Sequence, residues 1–442
     1  MAPTGTLGII LPLLIVKAGN ATWITFLLTL VAFSLVMYCI QRFARHSASA
    51  GALATYVDAG LGRSIGIVAG WSYVIAMAVG VASAAPSSAY YANVFLTEVT
   101  GTPGTLLRGV VLTTLVVCLA WLVAHRDIKL STEIMLAIEF SSLAVMILII
   151  GLAMWHAHAW IDRPQLRLEG AKLSGFQFAM VFGFMTLAGF ESVTSLGEEA
   201  VHATRTIPRV IVSCLIPIGL LYLVAIYCLV ALGRKHGLAL DQLDAPFDTI
   251  ARRMNMGTLG YFSSIGIALS YFACTLGSLN AGSRVLYAMA RKREFAPYFG
   301  LAHRVNATPY RTIALLAVLG IAAPVTLFFF RVSLVDCVND LTQLAGFGFI
   351  GAYFFVCLAL PFFLRRRGIL QKVDVVMSCA ALFILSGVLA FSVFPLPPAP
   401  LLYLPYIFLG LMAAGVTVSF ICVRRDPLVD ERPSGSDAWW RE

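Results

Sequence analysis

Long apolar runs alternate with short polar connections along the whole chain. Runs at 21–41, 64–97, 105–124, 131–155, 174–199, 208–232, 257–290, 311–330, 336–364, 373–394 and 401–423 each come near or exceed the ~20 residues that carry a helix across a bilayer. A first apolar segment, to about Val16, is too short to span. A chain in lipid satisfies its backbone inside helices, so the pattern predicts an all-α polytopic membrane protein of eleven spans plus a fragment. It also predicts a short surface helix in the polar, Pro-containing connection 233–256 and a charged, disordered tail after Arg424.

One span departs from the pattern. Phe182-Gly183-Phe184-Met185-Thr186-Leu187-Ala188 is apolar, and Gly189-Phe190-Glu191-Ser192-Val193-Thr194-Ser195 then places a glycine, a carboxylate and three hydroxyls at membrane depth. Glycine weakens a helix, and serine and threonine side chains take up freed backbone groups. Irregular backbone at that depth survives only when buried in protein or lining a cavity. Residues 189–192 are therefore the expected hinge of a discontinuous helix, with Glu191 at the positive end of its second half. The opening Ala2-Pro3-Thr4-Gly5-Thr6-Leu7-Gly8 reads as the middle of a second broken helix, with Pro3 fixing the bend.

Composition agrees. The 442 residues are 60% hydrophobic and 12% charged, against about 25% charged in soluble domains. The net charge of +9 sits in short connections and is not a nucleic-acid signature. If the connection after 21–41 is cytoplasmic, that side carries 21 Lys and Arg and the other 10, which predicts a cytoplasmic C-terminus; the expected location is the plasma (inner) membrane. The nine cysteines show neither CxxC spacing nor a secreted pattern, so no disulfide, metal site or cofactor is expected. The start lacks a basic region typical of a cleavable signal. No nucleophile–base constellation or phosphate loop appears, so no enzyme is expected.

Intramembrane ionisable groups are functional candidates by default. Glu191 and Glu139 are the coupling candidates, set against a capping or structural role for each. Half-helix amides can hold a substrate carboxylate, and exposed carbonyls an ammonium. The substrate-binding candidates are Pro3, Thr4, Gly5, Thr6, Thr186, Gly189, Phe190, Glu191 and Ser192, with Phe184 as a gating candidate. A simple water-filled kink is the alternative. Glu198 and Glu199 read as ion-pair partners of Arg205 and Arg209, Ser87 and Ser88 as packing positions, and Tyr90 and Tyr91 as an interfacial belt.

At the broken span the chain resembles the amino acid–polyamine–organocation (APC) permeases. Gly189-Phe190-Glu191, Gly197-Glu198-Glu199 and Arg205-Thr206-Ile207-Pro208-Arg209 are similar to that family's helix 6 and the loop after it. Ser49-Ala50-Gly51-Ala52-Leu53-Ala54-Thr55-Tyr56-Val57 resembles its loop from helix 2 into helix 3, Asn280 to Arg291 its helix 8, and Leu360-Pro361 before Arg365-Arg366-Arg367 the end of its helix 10. The resemblance implies two inverted five-helix repeats (1–155 and 174–364) with helices 1 and 6 broken. Two extra helices (373–424) complete a single transporter domain, 1–424, followed by a cytoplasmic tail, 425–442. Family members carry a half-helix before the helix 1 break that is apparently absent here. Either the true start lies upstream of Met1, the preferred reading, or one wall of the site is missing. The turn before Gly189 lacks the family's frequent aromatic, with Phe184 one step earlier. Helix 5 has Glu139, Ser141 and Ser142 where some members carry a lysine in place of sodium.

The expected function is secondary active transport of an amino acid or related amine by alternating access, coupled to H+ in preference to Na+. Its partners are that small molecule, the coupling ion and the lipid bilayer. The alternatives are a polyamine or organic-cation carrier, and a non-transporting membrane sensor or relic.

Overall fold

Helices account for all the regular structure among the described residues. The computed structural model describes residues 2–47, 49–126, 128–158, 160–171, 183–184, 186–198, 200–235, 246–254, 256–303, 306, 308–394 and 401–424. In chain order these give α1 (Pro3–Gly8), α2 (Ile10–Ala18), α3 (Thr22–Ala44), α4 (Ala52–Leu61), α5 (Arg63–Thr100), α6 (Leu106–Arg126), α7 (Ile128–Ala157) and α8 (Arg163–Leu166). A 310 segment, Phe190–Leu196, precedes α9 (Ala203–Lys235), α10 (Pro246–Arg253), α11 (Gly257–Arg291), α12 (Tyr310–Phe329), α13 (Leu334–Arg366), α14 (Lys372–Val393) and α15 (Leu404–Arg424). Ten helical stretches among the described residues are long and apolar enough to cross a bilayer. They match the runs read from sequence; most of the first half of 174–199, and the tail, lie outside the described residues.

The longest helix, α5, forms the centre and packs against α4, α6, α11, α12 and α13. Small residues permit this, because apolar side chains gain little from leaving lipid and close packing must supply the attraction. A Cβ on Gly348 of α13 would lie 2.7 Å from the Ser72 carbonyl oxygen, and one on Gly282 of α11 2.7 Å from Met77 Cβ. Ser72 Oγ donates to the Gly348 carbonyl at 2.8 Å, and Ser88 Oγ to that of Ala268 at 2.7 Å. The most apolar window of α5 is 72% buried, whereas those of α14 and α15 are 22% and 11% buried. The last two helices, like α6 at 22%, therefore lie at the periphery of the bundle.

Three expectations change. The stretch read as a loop between helices 2 and 3 contains α4, whose Leu53, Tyr56, Val57 and Gly60 are buried at helical spacing. Ile9, between α1 and α2, keeps a right-handed helical backbone with its amide donating to the Gly5 carbonyl at 3.1 Å, so the irregular place at this end is the start of α1, where Thr4 N and Gly5 N turn to side chains of other helices. Pro3 opens α1 instead of bending it, since a proline at the first helical position removes only a donor that has no intrahelical acceptor. Tyr91 is buried and donates to the Gly8 carbonyl at 2.8 Å, so it braces α1 and is not part of an interfacial belt. The expected surface helix is α10, with Phe247, Ile250 and Ala251 buried beneath it.

Candidate functional site

Two irregular places in the backbone lie inside the bundle, and each leans on a glutamate. At α1 the first amides have no intrahelical acceptor. Glu139 of α7 supplies one: its Oε1 accepts from Thr4 N at 2.9 Å and from Thr4 Oγ1 at 3.0 Å. Ser270 of α11 donates to the same oxygen at 3.0 Å and accepts from Gly5 N at 3.2 Å. One carboxylate oxygen thus ties three elements together. Gly5 is needed for the approach, because a Cβ there would lie 2.9 Å from the Tyr271 ring. Thr4 and Thr6 are buried.

At the second break Gly189 has φ +96°, which a glycine adopts without strain. The chain leaves it as the 310 segment Phe190–Leu196. Hydroxyls take the carbonyls three residues back: Ser192 that of Gly189 at 2.7 Å, Thr194 that of Glu191 at 2.7 Å and Ser195 that of Ser192 at 2.7 Å. Thr186 does the same to Gly183 at 2.6 Å. Glu191 is fully buried and folds back, so that its Oε2 accepts from Gly189 N at 3.1 Å. Tyr353 of α13 donates to the same oxygen at 2.6 Å, while Oε1 has no hydrogen-bond partner among the described residues.

An aromatic cluster encloses this carboxylate. Phe33 of α3 lies 4.6 Å from Phe184, 5.4 Å from Phe190 and 5.7 Å from Tyr353 between ring centroids. Phe184, the gating candidate, is fully buried there. Tyr73, Tyr222 and Tyr271 are also buried, and the Tyr73 and Tyr271 hydroxyls have no hydrogen-bond partner among the described residues. The sequence-derived candidates thus gather in two groups. Pro3, Thr4, Gly5 and Thr6 sit by Glu139; Phe184, Thr186, Gly189, Phe190, Glu191 and Ser192 surround the second break. Met185 and Glu199 lie outside the described residues. Glu198 accepts from Ala50 N at 3.1 Å, which links the end of the second break to the approach to α4 in place of the ion pair expected with Arg205 or Arg209. Sequence reading missed Tyr353 and Ser270; no local signal marks a tyrosine or serine inside an apolar helix as the partner of a distant carboxylate. Among the described residues no three His, Cys, Asp or Glu side chains converge as a metal set.

The amino acid permease family model matches residues 2–422, nearly the whole chain. The chain belongs to the amino acid permease family. This permease is 23% identical over 357 residues to the methylthioribose transporter of Bacillus subtilis, covering 78% of this chain and 73% of that protein. It is 24% identical over 374 residues to a branched-chain amino acid permease of Lactococcus lactis, covering 79% and 76%. It is 25% identical over 329 residues to the vacuolar cationic amino acid transporter 4 of Arabidopsis thaliana, covering 71% and 54%. As a permease it is an integral multi-pass membrane protein that moves amino acids or related compounds, a transporter and not an enzyme in the usual sense.

Proposed function

We propose that the permease is a secondary active transporter of an amino acid or related amine in the plasma membrane, working by alternating access between two inverted five-helix repeats, 1–155 and 174–364. Helices 373–424 are the additional pair, and the face carrying the excess of Lys and Arg, with the C-terminus, is cytoplasmic. Substrate binds between the two breaks, against Pro3, Thr4, Gly5 and Thr6 on one side and Thr186, Gly189, Phe190, Glu191 and Ser192 on the other. Phe184 acts as a gate. The supporting observation is the fully buried Glu191 at the hinge of the second break, held through one oxygen while the other has no partner among the described residues. An orphaned carboxylate oxygen among apolar rings suits a group that takes up and releases a proton, so H+ is the coupling ion in preference to Na+. Glu139 is the second candidate for that step.

The test is uptake of a radiolabelled amino-acid mixture into proteoliposomes, with and without an inward proton gradient. Gradient-driven uptake is expected, lost in Glu191→Gln, while counterflow exchange persists. Uptake that needs Na+ and ignores the proton gradient would overturn the coupling. A second reading, a polyamine or organic-cation carrier, rests on the two carboxylates at the breaks. Competition by a diamine and not by amino acids would favour it. The relatives' names range from methylthioribose to cationic and branched-chain amino acids, so the substrate mixture must span those classes.

A further inference from the structure

The ends of α3, α13 and α14 meet on the face that carries the excess of Lys and Arg. Phe43 lies against Phe363 at 4.8 Å between centroids. Arg367, just past α13, sits over the Phe363 ring at 4.6 Å and donates Nη1 to the His46 carbonyl at 3.2 Å. Asp374, in the first turn of α14, is the acid at this corner, and both of its oxygens are taken. Oδ1 accepts from Tyr38 Oη at 2.6 Å and Arg42 Nε at 2.8 Å; Oδ2 accepts from Arg42 Nη2 at 2.9 Å and Gln371 N at 3.0 Å.

Around this used carboxylate, Arg45, Arg365, Arg367 and Lys372 are exposed. Among the described residues none of the four has an ion-pair partner. Burial and the guanidinium groups of Arg367, Arg42 and Arg45 lower the pKa of the His46 imidazole, which marks how closely these cations crowd. The general bias of basic residues to one membrane side explains their sign. It does not explain why three elements bring exposed cations to one corner where Asp374, already bonded through both oxygens, is taken up by Arg42, Tyr38 and Gln371. Next to the cations, Phe362, Ile369, Leu370, Val373 and Val376 are exposed. Cations beside an exposed apolar skirt are the arrangement expected at the edge of a bilayer, where acyl chains meet phosphates. Basic pockets between helix ends on such a face take anionic headgroups.

We propose that this corner binds the phosphate headgroup of an anionic phospholipid, with Arg45, Arg365, Arg367 and Lys372 as its cationic seat and the exposed apolar side chains of α14 as the bed for its acyl chains. The site is independent of the transported substrate. Electron paramagnetic resonance of the full chain in proteoliposomes, with spin-labelled phosphatidylglycerol or phosphatidylcholine, tests it by the share of each lipid immobilised at the protein. The wild type is expected to prefer phosphatidylglycerol, and each cation removed to reduce that preference by about fivefold at most. The variant Arg45→Gln/Arg367→Gln should lose most of it, and Arg205→Gln/Arg209→Gln, on the same face elsewhere, should keep it. An unchanged preference in the first variant, or an equal loss in the second, overturns the site in favour of a diffuse field. The Arg45 side chain makes no hydrogen bond or ion pair with the protein among the described residues, so Arg45→Gln alone decides the matter if the double variant misfolds.

Discussion

Replacing Tyr353 with phenylalanine removes one oxygen from the middle of the bundle and, with it, one of the two hydrogen bonds on the Glu191 carboxylate. The ring stays: Phe33, Phe190 and Phe349 hold it at centroid distances of 5.7, 6.2 and 6.0 Å, so packing is conserved and the change isolates the hydroxyl. The O···O distance of 2.6 Å falls in the range of about 2.5–2.7 Å for an O–H donor on a carboxylate. That distinction sets the magnitude. Hydrogen bonds between neutral groups on neighbouring membrane helices contribute about 0.6 kcal/mol on average, whereas those to charged groups contribute about 1.5–3 kcal/mol. Both partners are fully buried, so solvent screening does not reduce the larger figure. A double-mutant cycle of Tyr353→Phe with Glu191→Met, read by equilibrium unfolding in mixed micelles, should therefore give a coupling of about 1.5–3 kcal/mol. A coupling at or below about 0.6 kcal/mol would refute the reasoning, because Tyr353 would then be an ordinary neutral neighbour and not the donor that holds a charged Glu191 at the break.

Three further outcomes follow from the same structure. Asp374→Ala strands Arg42, whose side chain is 15% exposed, and should cost about 3 kcal/mol of unfolding free energy, the low end for a broken buried pair. The apolar pair Arg42→Met/Asp374→Leu should recover most of that loss; no recovery would mean that packing, and not an unpaired charge, sets the cost. Gly5→Ala drives a methyl into the Tyr271 ring and should cost about 1–3 kcal/mol, with substrate binding weakened and partly restored by Tyr271→Leu; an uncompromised Gly5→Ala protein would show that α1 can shift away. Burial raises the pKa of the Glu294 carboxyl, outside the spans, from its ordinary 4.5, against the pull of Lys292 and Arg63. The folded state then binds the proton more tightly than the unfolded one, so this group's contribution is full below pH 4.5 and is lost as pH rises through the folded value. Unfolding across that window should show the slope in the wild type and lose it in Glu294→Gln; an identical slope in both would sink the assignment.

The spans were legible because a helix in lipid has to be apolar for about twenty residues whatever its neighbours are. The second break was legible for a local reason as well. Gly189 followed by hydroxyls is how a chain announces a turn whose carbonyls its own side chains will take, and Ser192, Thr194 and Ser195 do so. What could not be read were pairings between distant positions. Arg42 counts in the sequence as one more basic residue on a loop, yet it is locked to an aspartate 332 residues away. Tyr91 looks like an interfacial aromatic until α1 brings the Gly8 carbonyl to it. The helix α4 is different, since its buried Leu53, Tyr56, Val57 and Gly60 recur at helical spacing and the signal was present.

The two breaks share a logic that bears on transport. A backbone interrupted inside a bilayer must find partners elsewhere, and those partners must be exchangeable if the interruption is to move. A second backbone segment would make a permanent substitute. A glutamate oxygen does not, because its capacity to accept changes when a proton arrives. Here Glu139 Oε1 carries Thr4 N, Thr4 Oγ1 and Ser270 Oγ together, and Glu191 Oε2 carries Gly189 N and Tyr353 Oη. Protonation of either group turns an acceptor-only anion into an acid that must place a donor of its own, and it weakens the bonds that join α7 and α11 to α1, or α13 to the turn at Gly189. On the proposed mechanism the proton and the conformational change are therefore linked through the helix breaks themselves. Variants that keep the shape but not the charge, Glu139→Gln and Glu191→Gln, should then uncouple uptake from the gradient more than they lower substrate affinity. A selective loss of affinity with coupling intact would place these carboxylates at the substrate and not at the proton.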